Sequence, residues 1–217
     1  MLISYTHSFI FFHVAKAAGI SIREALAPYT QEPPHFKIRR PPSAINGKTN
    51  PLYEVWSSML THATVQQTQQ ELPQEFAQYF KFAFVRNPWD WQVSMYHFLM
   101  KETENPRYAT INALGNFRNY LEWVIREDKP FPKGATKFQK DMLVDNQGRI
   151  AVDEIGRFEN LSEDFQRISA RMGINAVLAR RNSSPHTDYR DYYDDYCKKL
   201  VATNFAEDIE LFGYTFG

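Results

Sequence analysis

The chain has 217 residues, enough for one domain with a full core. Its 25 Lys and Arg balance 25 Asp and Glu, so no global field draws it to nucleic acid or to an anionic membrane surface. Aromatic residues reach 15%, a composition that suits a packed core with aromatic-lined clefts and excludes a disordered chain.

From the N-terminus, residues 8–14 (SFIFFHV) form a continuous apolar run, the pattern of a strand buried on both faces. His13 and Lys16 interrupt it too early for a signal peptide or a membrane span. Ala15–Ser21 reads as a turn in which Gly19 takes a backbone shape closed to other residues. Helical spacing of Ile22, Ala25 and Leu26 follows. Residues 28–51 carry six prolines among polar residues, the composition of a long lid or substrate loop. A short strand is expected over 53–60, ahead of Thr61-His62-Ala63-Thr64.

Helices over 66–72 and 74–80, broken at Pro73, lead to a second buried strand at Lys81–Arg86. Asn87 as N-cap and Pro88 at the first helical position then start a helix running to about Lys101. Further helices are expected over 117–126, 161–172 and 205–211, and a hairpin between 141–144 and 150–152. Tyr189, Tyr192, Tyr193, Tyr196 and Leu200 share one face of a continuous helix. Cys197, in that stretch, is the single cysteine, so no intramolecular disulfide forms. A reducing cytoplasm and a packed thiol are the simplest reading. Strands alternating with helices indicate an α/β fold with a central, largely parallel sheet flanked by helices, as one domain over 1–217.

Two strand-to-helix junctions carry a cation each, Lys16 and Arg86. In such sheets ligands bind at the carboxyl ends of the strands. At the first junction the small residues Ala17, Ala18 and Gly19 admit an anion to the backbone N–H groups up to Ile20 and Ser21. The lysine precedes the glycine, the reverse of the GxxxxGK order of nucleoside-triphosphate loops. The alternative is a plain turn with a surface lysine. At the second junction Arg86 and Ser94, two helical turns beyond Asn87 and on its face, form a rim suited to a phosphate monoester. The alternative pairs Arg86 with Asp90 or Glu24 and leaves Ser94 as a helix surface residue. Trp89, Trp91 and Tyr96 are expected in the core, the alternative being that they flank a purine ring. His62 lies in a short polar segment suited to an active-site rim, where an imidazole with a pKa near ~6.5 suits proton abstraction at neutral pH; the alternative is a structural histidine. None of the six histidines falls in HExxH or HxxxH, so no zinc site is expected.

The first junction resembles the 5′-phosphosulfate loop of sulfotransferases, a hydrophobic strand followed by H-x-x-K-x-x-G-x-S. The second resembles their 3′-phosphate segment, F-x-F-V-R-N-P-x-D-x-x-x-S-x-Y. Agreement extends to Thr61-His62-Ala63, to Gly156–Leu161, to Asn182–Ser184 with Tyr189-Arg190, and to Phe205–Tyr214. The group is the carbohydrate-type sulfotransferases, which include heparan and chondroitin enzymes and small soluble bacterial proteins.

This resemblance implies a P-loop-kinase-like fold and transfer of a sulfuryl group from 3′-phosphoadenylyl sulfate (PAPS) to an acceptor hydroxyl. The product nucleotide is then adenosine 3′,5′-bisphosphate (PAP). Lys16 with the Ala18–Ser21 amides would hold the 5′-phosphosulfate, Arg86 and Ser94 the 3′-phosphate, and His62 would be the general base. The segment 181–184 would close over the nucleotide. Ala17-Ala18 replaces the commoner Thr-Gly or Thr-Ala, and Trp91 stands where many members carry Arg. No metal is implied, and the partner would be a glycan or a small hydroxyl-bearing molecule. Rival readings are a small-molecule kinase, against which the missing GK motif counts, and a non-catalytic glycan-binding module.

Overall fold

The computed structural model describes residues 1–30, 62–101, 103, 106–132, 134–179 and 187–217. The expected strand over 53–60, most of the Pro-rich loop and the segment 181–184 lie outside them. Strands β1 (Leu2–Ser4), β2 (Phe9–Phe12), β3 (Phe80–Val85) and β4 (Glu154–Arg157) form a sheet in that spatial order. β1 runs antiparallel to β2, whereas β2, β3 and β4 are mutually parallel. Phe9, Phe11, Phe12, Phe82 and Phe84 are all buried, as expected for central strands covered on both faces.

Helix α1 (Gly19–Leu26) follows β2. Helices α2 (Val65–Glu71) and α3 (Pro73–Gln78) precede β3, and Thr64 and Gln67 close a reciprocal capping box at the start of α2. Helix α4 (Pro88–Lys101) leaves β3 with the Asn87 side chain accepting the Trp89 N–H at 3.0 Å. It packs against α5 (Tyr108–Leu114) and α6 (Phe117–Arg126). Helix α7 (Leu161–Arg171) covers β4, and α8 (Asp195–Asn204) and α9 (Ala206–Phe212) complete the chain's helices among the described residues. No helix among these residues is long and apolar enough to cross a membrane.

Two expectations need correction. The continuous helix from Tyr189 is split, because the Asp194 carboxylate accepts the Cys197 N–H at 2.8 Å and caps a new helix there. Tyr189–Tyr192 form only a 3₁₀ turn. The hairpin over 141–152 reduces to one bridge between Val144 and Ile150, because Lys140–Met142 coil into a 3₁₀ turn. β1, β4 and α5 were not anticipated.

A buried polar chain anchors the end of β3. Gln139, fully buried, accepts the Arg86 N–H at 2.9 Å and donates to the Arg86 carbonyl at 2.7 Å. It therefore acts as a one-residue strand partner. Asp208 accepts the Gln139 and Lys140 N–H groups at 2.8 and 2.9 Å. Burial pushes the Asp208 pKa up to about 6, against the pull of those two N–H groups. Gln139→Ala should therefore lower unfolding free energy by about 1–3 kcal/mol for each Arg86 main-chain group left unpaired. Urea unfolding measures this, and a loss below about 0.5 kcal/mol, the range of an ordinary surface change, would remove Gln139 as the anchor.

Candidate active site

Parallel pairing of β2 and β3, with Phe12 opposite Ala83, sets the two strand exits side by side. The turn after β2 is unusual: Lys16 (φ 62°) and Ala18 (φ 60°) both lie in the left-handed region. For residues other than glycine that shape costs about 1–2 kcal/mol each and persists only where the surroundings hold it. Two donors do so. The Trp91 indole N–H reaches the Ala15 carbonyl at 2.7 Å, and Arg86 Nη1 reaches the Lys16 carbonyl at 3.3 Å. Gly19 takes no special backbone shape; it opens α1. Its missing Cβ matters instead, because a Cβ there would lie 1.8 Å from His13 Nε2.

Ala18 offers α1 no side-chain cap, and the first turn of α1, which includes Gly19, Ile20 and Ser21, has no acidic residue. An anion at that end would meet unsatisfied N–H groups and the positive end of the helix dipole. The Lys16 ammonium lies 4.7 Å from the Phe98 ring of α4.

Arg86 is 5% exposed and forms a two-pronged pair with Asp90, Nε to Oδ2 at 2.6 Å and Nη2 to Oδ1 at 2.9 Å. Its guanidinium also sits 4.0 Å over Phe158. The pairing with Asp90 allowed by the sequence is thus realised, and the one with Glu24 is not. Three of the five guanidinium N–H groups are used, which leaves one on each terminal nitrogen. Ser94 is buried, and its Oγ has no hydrogen-bond partner among the described residues. Leaving a buried hydroxyl unpaired costs about 1–3 kcal/mol, so the position fits one that meets an acceptor on a ligand. Ser94 and Phe98 are four residues apart on α4, so Lys16 and Ser94 address the same helix face. Trp89 and Trp91 are core residues, as expected, while Tyr96 is half-buried.

His62 lies against the chain leaving β2. Its Nδ1 lies 3.0 Å from the His13 carbonyl oxygen. A carbonyl only accepts, so Nδ1 carries the proton and Nε2 is left as the acceptor. The ring packs on His13 with centroids 4.5 Å apart. Gly134 (φ 97°) closes over its edge, where a Cβ would fall 2.5 Å from His62 Cδ2. Burial lowers the His62 pKa to about 4, outweighing the opposing bond to His13, and the amino terminus and Arg23 lower it further. Burial also holds His13 well below its ordinary value. His62 is therefore a neutral acceptor at pH 7, and a weaker base than an unperturbed imidazole. The contacts of Trp91, His13 and Gly134 around these groups are ones that residue spacing did not show. Their partners are main-chain atoms or missing atoms, which leave no trace in residue spacing.

The two adjacent strand exits of this α/β protein each hand a cation to an α-helix, and one contact from Arg86 to the Lys16 carbonyl joins them. The sequence profile of the sulfotransferase family matches residues 1–215, and the chain belongs to that family. It is accordingly an enzyme of sulfuryl transfer. None of the curated proteins matches the chain. In fold it is similar to a mouse sulfotransferase crystallised with PAP, at 15% identity and a TM-score of 0.51, over 95% of this chain and 85% of the other.

The histidine pair has a consequence for pH. Because the folded pKa of His62 lies below the unfolded value near ~6.5, its contribution to stability is present above that pH. It is lost as pH falls toward about 4. An NMR titration should place the His62 midpoint near about 4. A midpoint at the ordinary value would contradict this burial.

Proposed function

We propose that the whole chain, 1–217, acts as one domain that transfers a sulfuryl group from PAPS to a hydroxyl of a carbohydrate acceptor. The observation that carries this reading is the bond from Arg86 to the Lys16 carbonyl, which closes two strand exits into a single site. The orphan hydroxyl of Ser94 and the uncapped start of α1 fit the anionic ends of such a donor.

PAPS supplies an activated sulfuryl group on a phosphate leaving group. Lys16 and the amides of Ala18 to Ser21, beside the small residue Ala17, would bind the 5′-phosphosulfate, and Lys16 would neutralise charge developing on the departing phosphate oxygen. Ser94 and the two remaining Arg86 N–H groups would hold the 3′-phosphate. His62 Nε2 would accept the acceptor hydroxyl's proton as its oxygen bonds to sulfur. Positioning and charge neutralisation dominate such transfers, as in phosphoryl transfer.

The low pKa of His62 bears on this role. A polyanionic donor beside it favours the charged imidazolium, which raises its pKa and makes it a better base once the donor is bound. The acid limb of kcat should therefore lie above that of kcat/KM for the donor, since the first reports the complex and the second the free enzyme. Coincident limbs, or a kcat limb below the other, would contradict this coupling.

Incubation with labelled PAPS and a panel of acceptors, read by mass spectrometry, tests the reading directly. Sulfate should appear on a carbohydrate hydroxyl, and PAP but not magnesium-ATP should raise the melting temperature. Stabilisation by magnesium-ATP alone would overturn it. Lys16→Ala should lower transfer by ~10²–10³, the range for removing one donor to a developing oxyanion. His62→Ala should abolish transfer with PAP binding kept, so loss of binding would make His62 structural.

A further inference from the structure

We propose that Trp91 is a positioning residue for the donor, which together with Arg86 fixes the backbone on both sides of Lys16 and so aims that lysine. The inference rests on the reading of Lys16 as a donor ligand.

A peptide group is planar, so fixing its carbonyl fixes its plane. Trp91 holds the carbonyl of Ala15 at 2.7 Å, and Arg86 holds that of Lys16 at 3.3 Å. Those two peptide groups flank the Lys16 Cα. With both planes set, the two backbone torsions of Lys16 are set, and the direction of its side chain with them. The torsion that results is left-handed, at φ 62°, a shape an ordinary residue leaves unless its surroundings impose it.

The brace itself is rigid. Trp91 is 1% exposed, and its ring stands edge-on to buried Phe131 at 5.3 Å and 87°. Its N–H has one acceptor, the Ala15 carbonyl, 76 residues away in the chain. Phe131 and Gly134 belong to one short segment, so the chain that backs Trp91 also closes over His62.

Trp91→Phe keeps an aromatic ring and removes the donor. Benzothienylalanine at 91 removes the donor while keeping the bicyclic shape, which guards against a folding defect. Phe131→Leu disturbs the packing but leaves the N–H. Both changes at 91 should speed amide exchange over 14–21 in the ligand-free protein, and weaken PAP by ~10-fold, about one hydrogen bond. The donor KM should rise in step while the acceptor KM stays unchanged. Phe131→Leu should lower the melting temperature yet leave PAP affinity within about twofold, a change smaller than loss of one hydrogen bond. Wild-type exchange and PAP affinity in the benzothienylalanine protein would overturn the proposal. So would Phe131→Leu matching the changes at 91 in every readout. Faster exchange in the variants of a protein that itself binds no PAP would sustain the brace and overturn the donor reading instead.

Discussion

A guanidinium buried at the end of a central strand sets the terms for everything near it. Charge taken out of water must be paired and hydrogen-bonded, or its desolvation outweighs any attraction. Arg86 meets that requirement with Asp90 one helical turn on, the face of Phe158, and the carbonyl of Lys16. Its main chain is clamped by Gln139, which is in turn held by Asp208. The last of these contacts to the side chain joins the β2 exit to the β3 exit. The joining of the two strand exits is therefore a by-product of satisfying one buried cation.

The same burial explains the behaviour of the neighbouring imidazoles. His13 and His62 lie against each other in a part of the molecule already supplied with cations, and desolvation keeps both uncharged. A neutral pair avoids like-charge repulsion with Arg23 and the amino terminus. It also leaves His62 in one tautomer, set by the His13 carbonyl. The chain as a whole is electrically balanced, so the site's positive character is entirely local.

Much of this was legible in the residue order. Buried Phe-rich runs ending in a cation, then Asn-Pro or small residues, announced both junctions, and α6 fell at the expected residues. β1 and β4 escaped notice because they are three and four residues long and lie at the sheet edges, where no long apolar run is needed. The split before Asp194 escaped because the tyrosine spacing fits a helix regardless of the cap that interrupts it. Ser94 matched the periodicity, and its burial departs from the surface position of the alternative reading. The first two turns of α4 are buried on every side, from Pro88 to Met95, so periodicity there carries no information about which face meets solvent. Trp91's role was out of reach because its acceptor is a backbone atom of a distant residue.

The Asn87 cap of α4 is finished by residues far along the chain. Its side-chain amide donates to the Thr215 carbonyl, its N–H goes to Glu159, and Tyr214 holds the other oxygen of that carboxylate. A nascent chain emerging from the ribosome can pair β2 with β3 early, yet it cannot close this cap until about 128 further residues have been made. The start of α4 would thus reach its full set of bonds later than the sheet that carries it.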